Sequence, residues 1–117
     1  MVSDSEKIRR LPPIRKRNWI RILTDRDRIR VEFTVRGNIV SSVDVIQYEA
    51  EIAGKWIGIV RYDMAHGYFH QDIMRPDGTQ EKTKIAYRDL TEAVAEAMDF
   101  IEAHWEFYRR IYEEQAK

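Results

Sequence analysis

The 117-residue chain contains no cysteine. A disulfide scaffold and a thiolate zinc site are therefore both excluded. No apolar run is long enough to span a membrane, and none near the start suits a signal peptide. Internal repeats and low-complexity blocks are also missing. These absences lead us to expect one cytoplasmic domain, prokaryotic in character, with no membrane partner. The length suffices for a core without a structural metal.

Charge is abundant and unevenly distributed. The chain carries twenty Lys/Arg and twenty Asp/Glu, so its net charge is zero. Residues 1–36 hold eleven basic and five acidic residues, a net of +6, whereas residues 89–117 hold three and eight, a net of −5. The basic front and acidic rear are suited to attract one another, within one chain or between two. The front is equally suited to phosphates.

Residues 1–17 end in IRRLPPIRKR, where Pro12-Pro13 favours extended backbone and the charge density argues against a packed core. We expect a flexible basic arm over 1–17, with Arg9, Arg10, Arg15, Lys16 and Arg17 as candidate nucleic-acid contacts. The same residues fit a solvated tail, since no aromatics interleave them. The remaining 18–117 then form a single domain, with a sheet over 18–87 and a helix over 89–115.

The period of the apolar residues sets the elements. In RIRVEFTVR (28–36), Ile29, Val31, Phe33 and Val35 share one face of a strand. Further strands are expected at 19–24, 43–53, 56–63, 68–74 and 79–87, separated by Asp25-Arg26-Asp27, Gly37-Asn38, Gly54, MAHG and RPDG. WIGIVRYD (56–63) is apolar on both faces, the mark of a central strand. From Leu90 the steps become three and four, through Val94, Ala97, Ile101, Trp105, Tyr108 and Tyr112. Asp89 and Glu92 form a capping box, and neither proline nor glycine interrupts the run. Twenty-five helical residues span about 38 Å, so the last turns are expected to project or to meet a partner, making a homodimer through the C-terminal helix. The fold class expected is α+β, an antiparallel meander of about five or six strands packed by one long C-terminal helix.

RYDMAHGYFHQD (61–72) concentrates the candidate chemistry. A four-residue loop 64–67 would set Arg61 opposite His70 and Ile59 opposite Asp72. Alternation then puts Arg61, Asp63, Tyr68, His70 and Asp72 on one face, with His66 at the loop tip. Three readings follow. His66 and His70 act as acid and base, with Arg61 stabilising an anion and Asp63 orienting an imidazole. Alternatively, His66, His70, Asp63 and Asp72 bind a divalent metal, although their spacing matches no established metal motif, and no metal ligand or cofactor is assigned. In the third, Arg61 pairs with the aspartates on a solvated sheet face. His104, beside Trp105 on the helix, reads as a packed or boundary histidine, and the helix aromatics read as core or dimer contacts.

The pattern RYD-x-A-H-G, H-x-D and PDG, followed by a helix containing HWEFYRR, resembles a group of small prokaryotic proteins. More distantly it resembles TumE-type toxins of toxin–antitoxin pairs, over roughly residues 45–112. Tyr62 and Asp63 occupy the Y-D places and His70 the first histidine of H-x-H; Asp72 replaces the second, and Met64 replaces the asparagine after Y-D. The resemblance implies a toxin-like protein acting on RNA or translation, with a cognate antitoxin as partner, and the reading taken from it is a metal-independent endoribonuclease. The alternative is a non-catalytic homodimeric interaction module.

Overall fold

The computed structural model describes residues 11–117. Six strands form one open antiparallel sheet in sequence order: β1 (Ile14–Thr24), β2 (Asp27–Arg36), β3 (Ile39–Ile52), β4 (Lys55–Asp63), β5 (His70–Met74) and β6 (Gln80–Lys84). Helix α1 (Leu90–Gln115) covers one face. The expected α+β meander with a C-terminal helix is therefore present.

Alternation in β2 works as the sequence predicts. Ile29, Val31, Phe33 and Val35 are buried, and the residues between them are half-buried or exposed. Strand β4 lies between β3 and β5, as its two apolar faces require. Helix α1 begins where Asp89 accepts the Glu92 amide at 2.8 Å, and it buries Ala93, Val94, Ala97 and Ile101.

Two expectations change. Arg15, Lys16 and Arg17 belong to β1, whose register runs from Ile14 opposite Arg36 to Thr24 opposite Asp27. The extended bias of Pro12-Pro13 leads into a strand and not into a free arm. Arg9 and Arg10 lie outside the described residues. The helix, in turn, stays on the sheet through Tyr112. Strand β3 has 14 residues, about 46 Å of extended chain, which exceeds the ~39 Å of the helix. A longer sheet than expected thus carries the helix as far as Tyr112, beyond which Glu113, Glu114 and Gln115 are exposed.

The helix is pinned near both ends. Thr91 Oγ1 accepts the Val40 amide at 3.2 Å. Towards the other end, Arg109 donates to buried Asp27 at 2.7 Å and to the carbonyls of Arg26 and Glu51 at 3.2 and 3.1 Å. Asp27 also accepts from Tyr48 and Thr24, each at 2.5 Å. Burial raises the Asp27 pKa, but Thr24, Tyr48 and Arg109 outweigh it and hold the carboxyl below its ordinary range. Burial and then the Asp27 carboxylate push the Tyr48 hydroxyl far above its ordinary value.

The β3–β4 turn uses two residues, Ala53 and Gly54, with φ of 53° and 80°. Positive φ at both positions matches the sheet's twist, yet alanine sits there at a cost of about 1–2 kcal/mol. Ala53→Gly should stabilise the fold by about 1 kcal/mol. Denaturant titration of both proteins measures this, as a raised midpoint at unchanged slope.

Candidate functional site

Strand β4 and strand β5 build the site, but in a different register from the one expected. Asp63 faces His70, Arg61 faces Asp72 and Val60 faces Ile73, so the connection is six residues long. Phe69 explains the shift. Its ring is buried against Tyr62 at 5.7 Å and Tyr87 at 6.0 Å, and its carbonyl accepts the Ile85 amide at 2.9 Å. Because each partner moves by two, parity is kept, and the polar side chains still share the face away from α1.

That face is not solvated at the hairpin, contrary to the third reading above. Asp63, His70 and Asp72 are only 5, 1 and 4% exposed. The rings of Tyr68 and His66 lie 5.3 and 5.8 Å from the His70 ring, and Lys84 stands 5.5 Å from the Tyr68 ring. The folded-back loop therefore covers the cluster.

Inside it, His70 is held by three oxygens. Its Nδ1 lies 3.2 Å from the Tyr68 carbonyl, and its Nε2 lies 3.0 Å from Asp63 Oδ1 and 3.2 Å from Asp72 Oδ2. Asp63 also accepts from the Ala65 amide at 3.0 Å and from Arg61 Nε at 2.7 Å. Burial raises the Asp63 pKa, but the Ala65 amide, Arg61 and His70 together hold it below the usual carboxylate range. Asp72 Oδ1 is buried without a hydrogen-bond partner among the described residues.

The structure thus brings Arg61, Asp63, Tyr68, His70, Asp72 and His66 together, as the sequence suggested. Their accessibility divides them. His66 is exposed at the loop, whereas His70 is enclosed and Arg61 is already engaged. An acid–base pair acting on a substrate needs both imidazoles within its reach, and only one is open.

A second polar group on the same face has no signal in the sequence. Glu49 receives Arg28 at 2.8 Å, Arg30 at 3.1 Å and Gln47 Nε2 at 2.7 Å. These donors outweigh burial and keep its carboxyl below its ordinary range. Arg28 also stacks over Trp56 at 3.9 Å. Gly58 makes the arrangement possible, because a Cβ there would lie 2.6 Å from Gln47 Cδ. On the opposite face, a cavity of about 640 Å³ lies beside the Arg109 anchor, between the β1–β2 turn and Trp105.

His104 is exposed on the helix with its ring 4.7 Å from that of Phe100, so it sits at the boundary of the apolar stripe and not within the core. The charge gradient has a local counterpart in the Arg21–Glu102 ion pair at 2.7 Å, which joins β1 to α1 within the chain.

Residues 14–117 match the family described as a domain of unknown function (DUF7718), and the chain belongs to that family. No curated protein and no solved structure matches it.

Two outcomes are expected. Gly58→Ala should destabilise the fold by about 2 kcal/mol by displacing Gln47, read by denaturant unfolding. Asp27, Glu49 and Asp63 all have lowered pKa values when folded, so the folded chain binds fewer protons than the unfolded one at acid pH. Their contribution is complete above the unfolded carboxylate value of about 4. It is lost as pH falls through the lower folded values, so Tm should decline progressively below about pH 5. Tm followed through the acid range checks this.

Proposed function

We propose that this DUF7718 member is a non-catalytic interaction module that pairs the outer edge of β1 with an extended, acidic polypeptide segment. The supporting observation is β1 itself. It is an 11-residue edge strand, exposed from Ile14 to Ile22, and among the described residues its outer side pairs with no strand. Such an edge presents unpaired N–H and C=O groups to another chain. It carries Arg15, Lys16, Arg17 and Arg21 and no acid, with Ile14, Ile20 and Ile22 exposed beside them. An acidic strand with alternating apolar residues complements both features. An antitoxin of that composition would be one such partner.

A second copy of the chain is a poor occupant of this edge. Antiparallel pairing of two β1 strands about their midpoint would set Arg17 opposite Arg21 twice, and like charges directly opposed destabilise a sheet. The helix offers little to a homodimer, because its apolar stripe packs on its own sheet and Phe107 is its exposed large apolar residue.

RNA binding is the second reading, favoured by one arrangement. Arg15, Arg17, Trp19 and Arg21 alternate along one face of β1, and Trp19 is 38% exposed beside the arginines. Basic residues flanking an aromatic suit single-stranded nucleic acid. The exposed isoleucines and the free strand edge have no use in that reading. The enclosed His70 gives an endoribonuclease built on His66 and His70 no support.

Fluorescence anisotropy with a labelled peptide alternating glutamate and valine, and with a labelled single-stranded RNA, separates the two. The peptide should bind, and Ile20→Ser/Ile22→Ser should weaken it about tenfold, a change of about 1.4 kcal/mol. Binding of RNA alone, unaffected by the isoleucine changes but abolished by Arg15→Glu/Arg17→Glu, would replace this reading with the second.

A further inference from the structure

We propose that Asp63, His70 and Asp72 form a binding site for one divalent transition-metal ion of the zinc, cobalt or manganese class. One ligand atom from each residue can be chosen so that all lie within 4.8 Å of one another. Metal bonds to imidazole nitrogen and carboxylate oxygen run about 2.0–2.2 Å, which puts neighbouring donors about 2.8–3.6 Å apart. The 3.0 and 3.2 Å separations of Nε2 from the two carboxylates fall in that span.

The surroundings have the form that metal ligands need. The Nδ1 of His70 faces the Tyr68 carbonyl at 3.2 Å, and a hydrogen bond there fixes the tautomer with the Nε2 lone pair free to coordinate. Asp63 is oriented through its other oxygen by Arg61 at 2.7 Å. All three ligands stand on adjacent strands of a sheet, which holds them more firmly than a loop would.

Asp72 distinguishes a metal site from a closed ion-pair cluster. A His70 ring with a proton on each nitrogen would serve the Tyr68 carbonyl and share one N–H between two carboxylates. It would leave Asp72 Oδ1 buried and unpartnered, as that atom is found. Arg61 stands directly opposite Asp72 in the register yet turns to Asp63. The orphaned oxygen belongs to a side chain only 6% exposed, whose other oxygen, Oδ2, is the one that faces Nε2. Leaving such a buried acceptor unmet is costly, and a cation held by both oxygens of Asp72 removes that cost.

The donor set selects the class. One imidazole and two carboxylates favour borderline ions over copper(I), which prefers sulfur, and over calcium, which takes six to eight oxygens. The site lies away from the β1 edge, so it stands or falls independently of the interaction reading.

The full-length protein, treated with chelator and dialysed, should take up one zinc ion per chain in isothermal titration calorimetry. Asp72→Asn, nearly isosteric, should weaken the affinity at least tenfold, whereas His104→Ala should leave it unchanged. Cobalt(II) provides a measurement that needs no variant: its paramagnetism should broaden the His70 ring signals in NMR and spare those of His104. Failure of the folded wild type to bind zinc or cobalt at millimolar concentration would overturn the proposal. So would equal affinity in wild type and Asp72→Asn, or cobalt broadening that spares His70.

Discussion

The ionised carboxylate of Asp27 is the point on which the arrangement of sheet and helix depends. It is buried and meets hydroxyls from Thr24 and Tyr48 and the guanidinium of Arg109. A buried charge is tolerated only when its partners are complete. The β1–β2 turn, the middle of β3 and the last turns of α1 must therefore all be in place together. Arg109 extends the demand by donating also to the backbone carbonyls of Arg26 and Glu51, the first of which already accepts the Glu51 amide. The helix is consequently fixed along its length, by apolar contact in the middle and by directed bonds near each end.

With α1 committed to one face, the chemistry is left to the other. There the chain places two groups of charges in succession, Arg28 and Arg30 on Glu49, then Arg61 and His70 on the aspartates. The first group is complete, with each donor matched to an oxygen. The second is not, and that difference separates a group that holds strands together from one with capacity left for a ligand. Enclosure of His70 by Tyr68 and His66 also explains why residue types suited to acid–base catalysis do not make an open catalytic pair.

Much of this was legible in the sequence. The alternation of Ile29 to Val35, the Asp89–Glu92 cap and the three–four spacing after Leu90 each follow from local geometry, and local geometry is what a sequence encodes most directly. The grouping of Arg61, Asp63, His70 and Asp72 was legible for the same reason, since alternation survives a shift of two. The loop length was not legible, because it depends on the burial of Phe69 between Tyr62 on β4 and Tyr87 beyond β6, a packing choice that alternation does not encode. Asp27 looked like an ordinary turn residue, and nothing near it announces Arg109, 82 positions away. The extent of β1 was hidden by its charges, which suit a strand at a sheet edge as well as a solvated arm.

The two edges of the sheet differ, and the difference governs stoichiometry. Strand β6 reads Gln80-Glu81-Lys82-Thr83-Lys84 and is exposed throughout, with alternating charges of the kind that discourage strand addition. Strand β1 has the apolar residues that β6 lacks. A sheet receptive at both edges could stack head to tail into an open filament. In the interaction reading proposed above, a sheet that accepts a strand on one side and refuses it on the other acts as a chain terminator, which keeps its assemblies closed and countable.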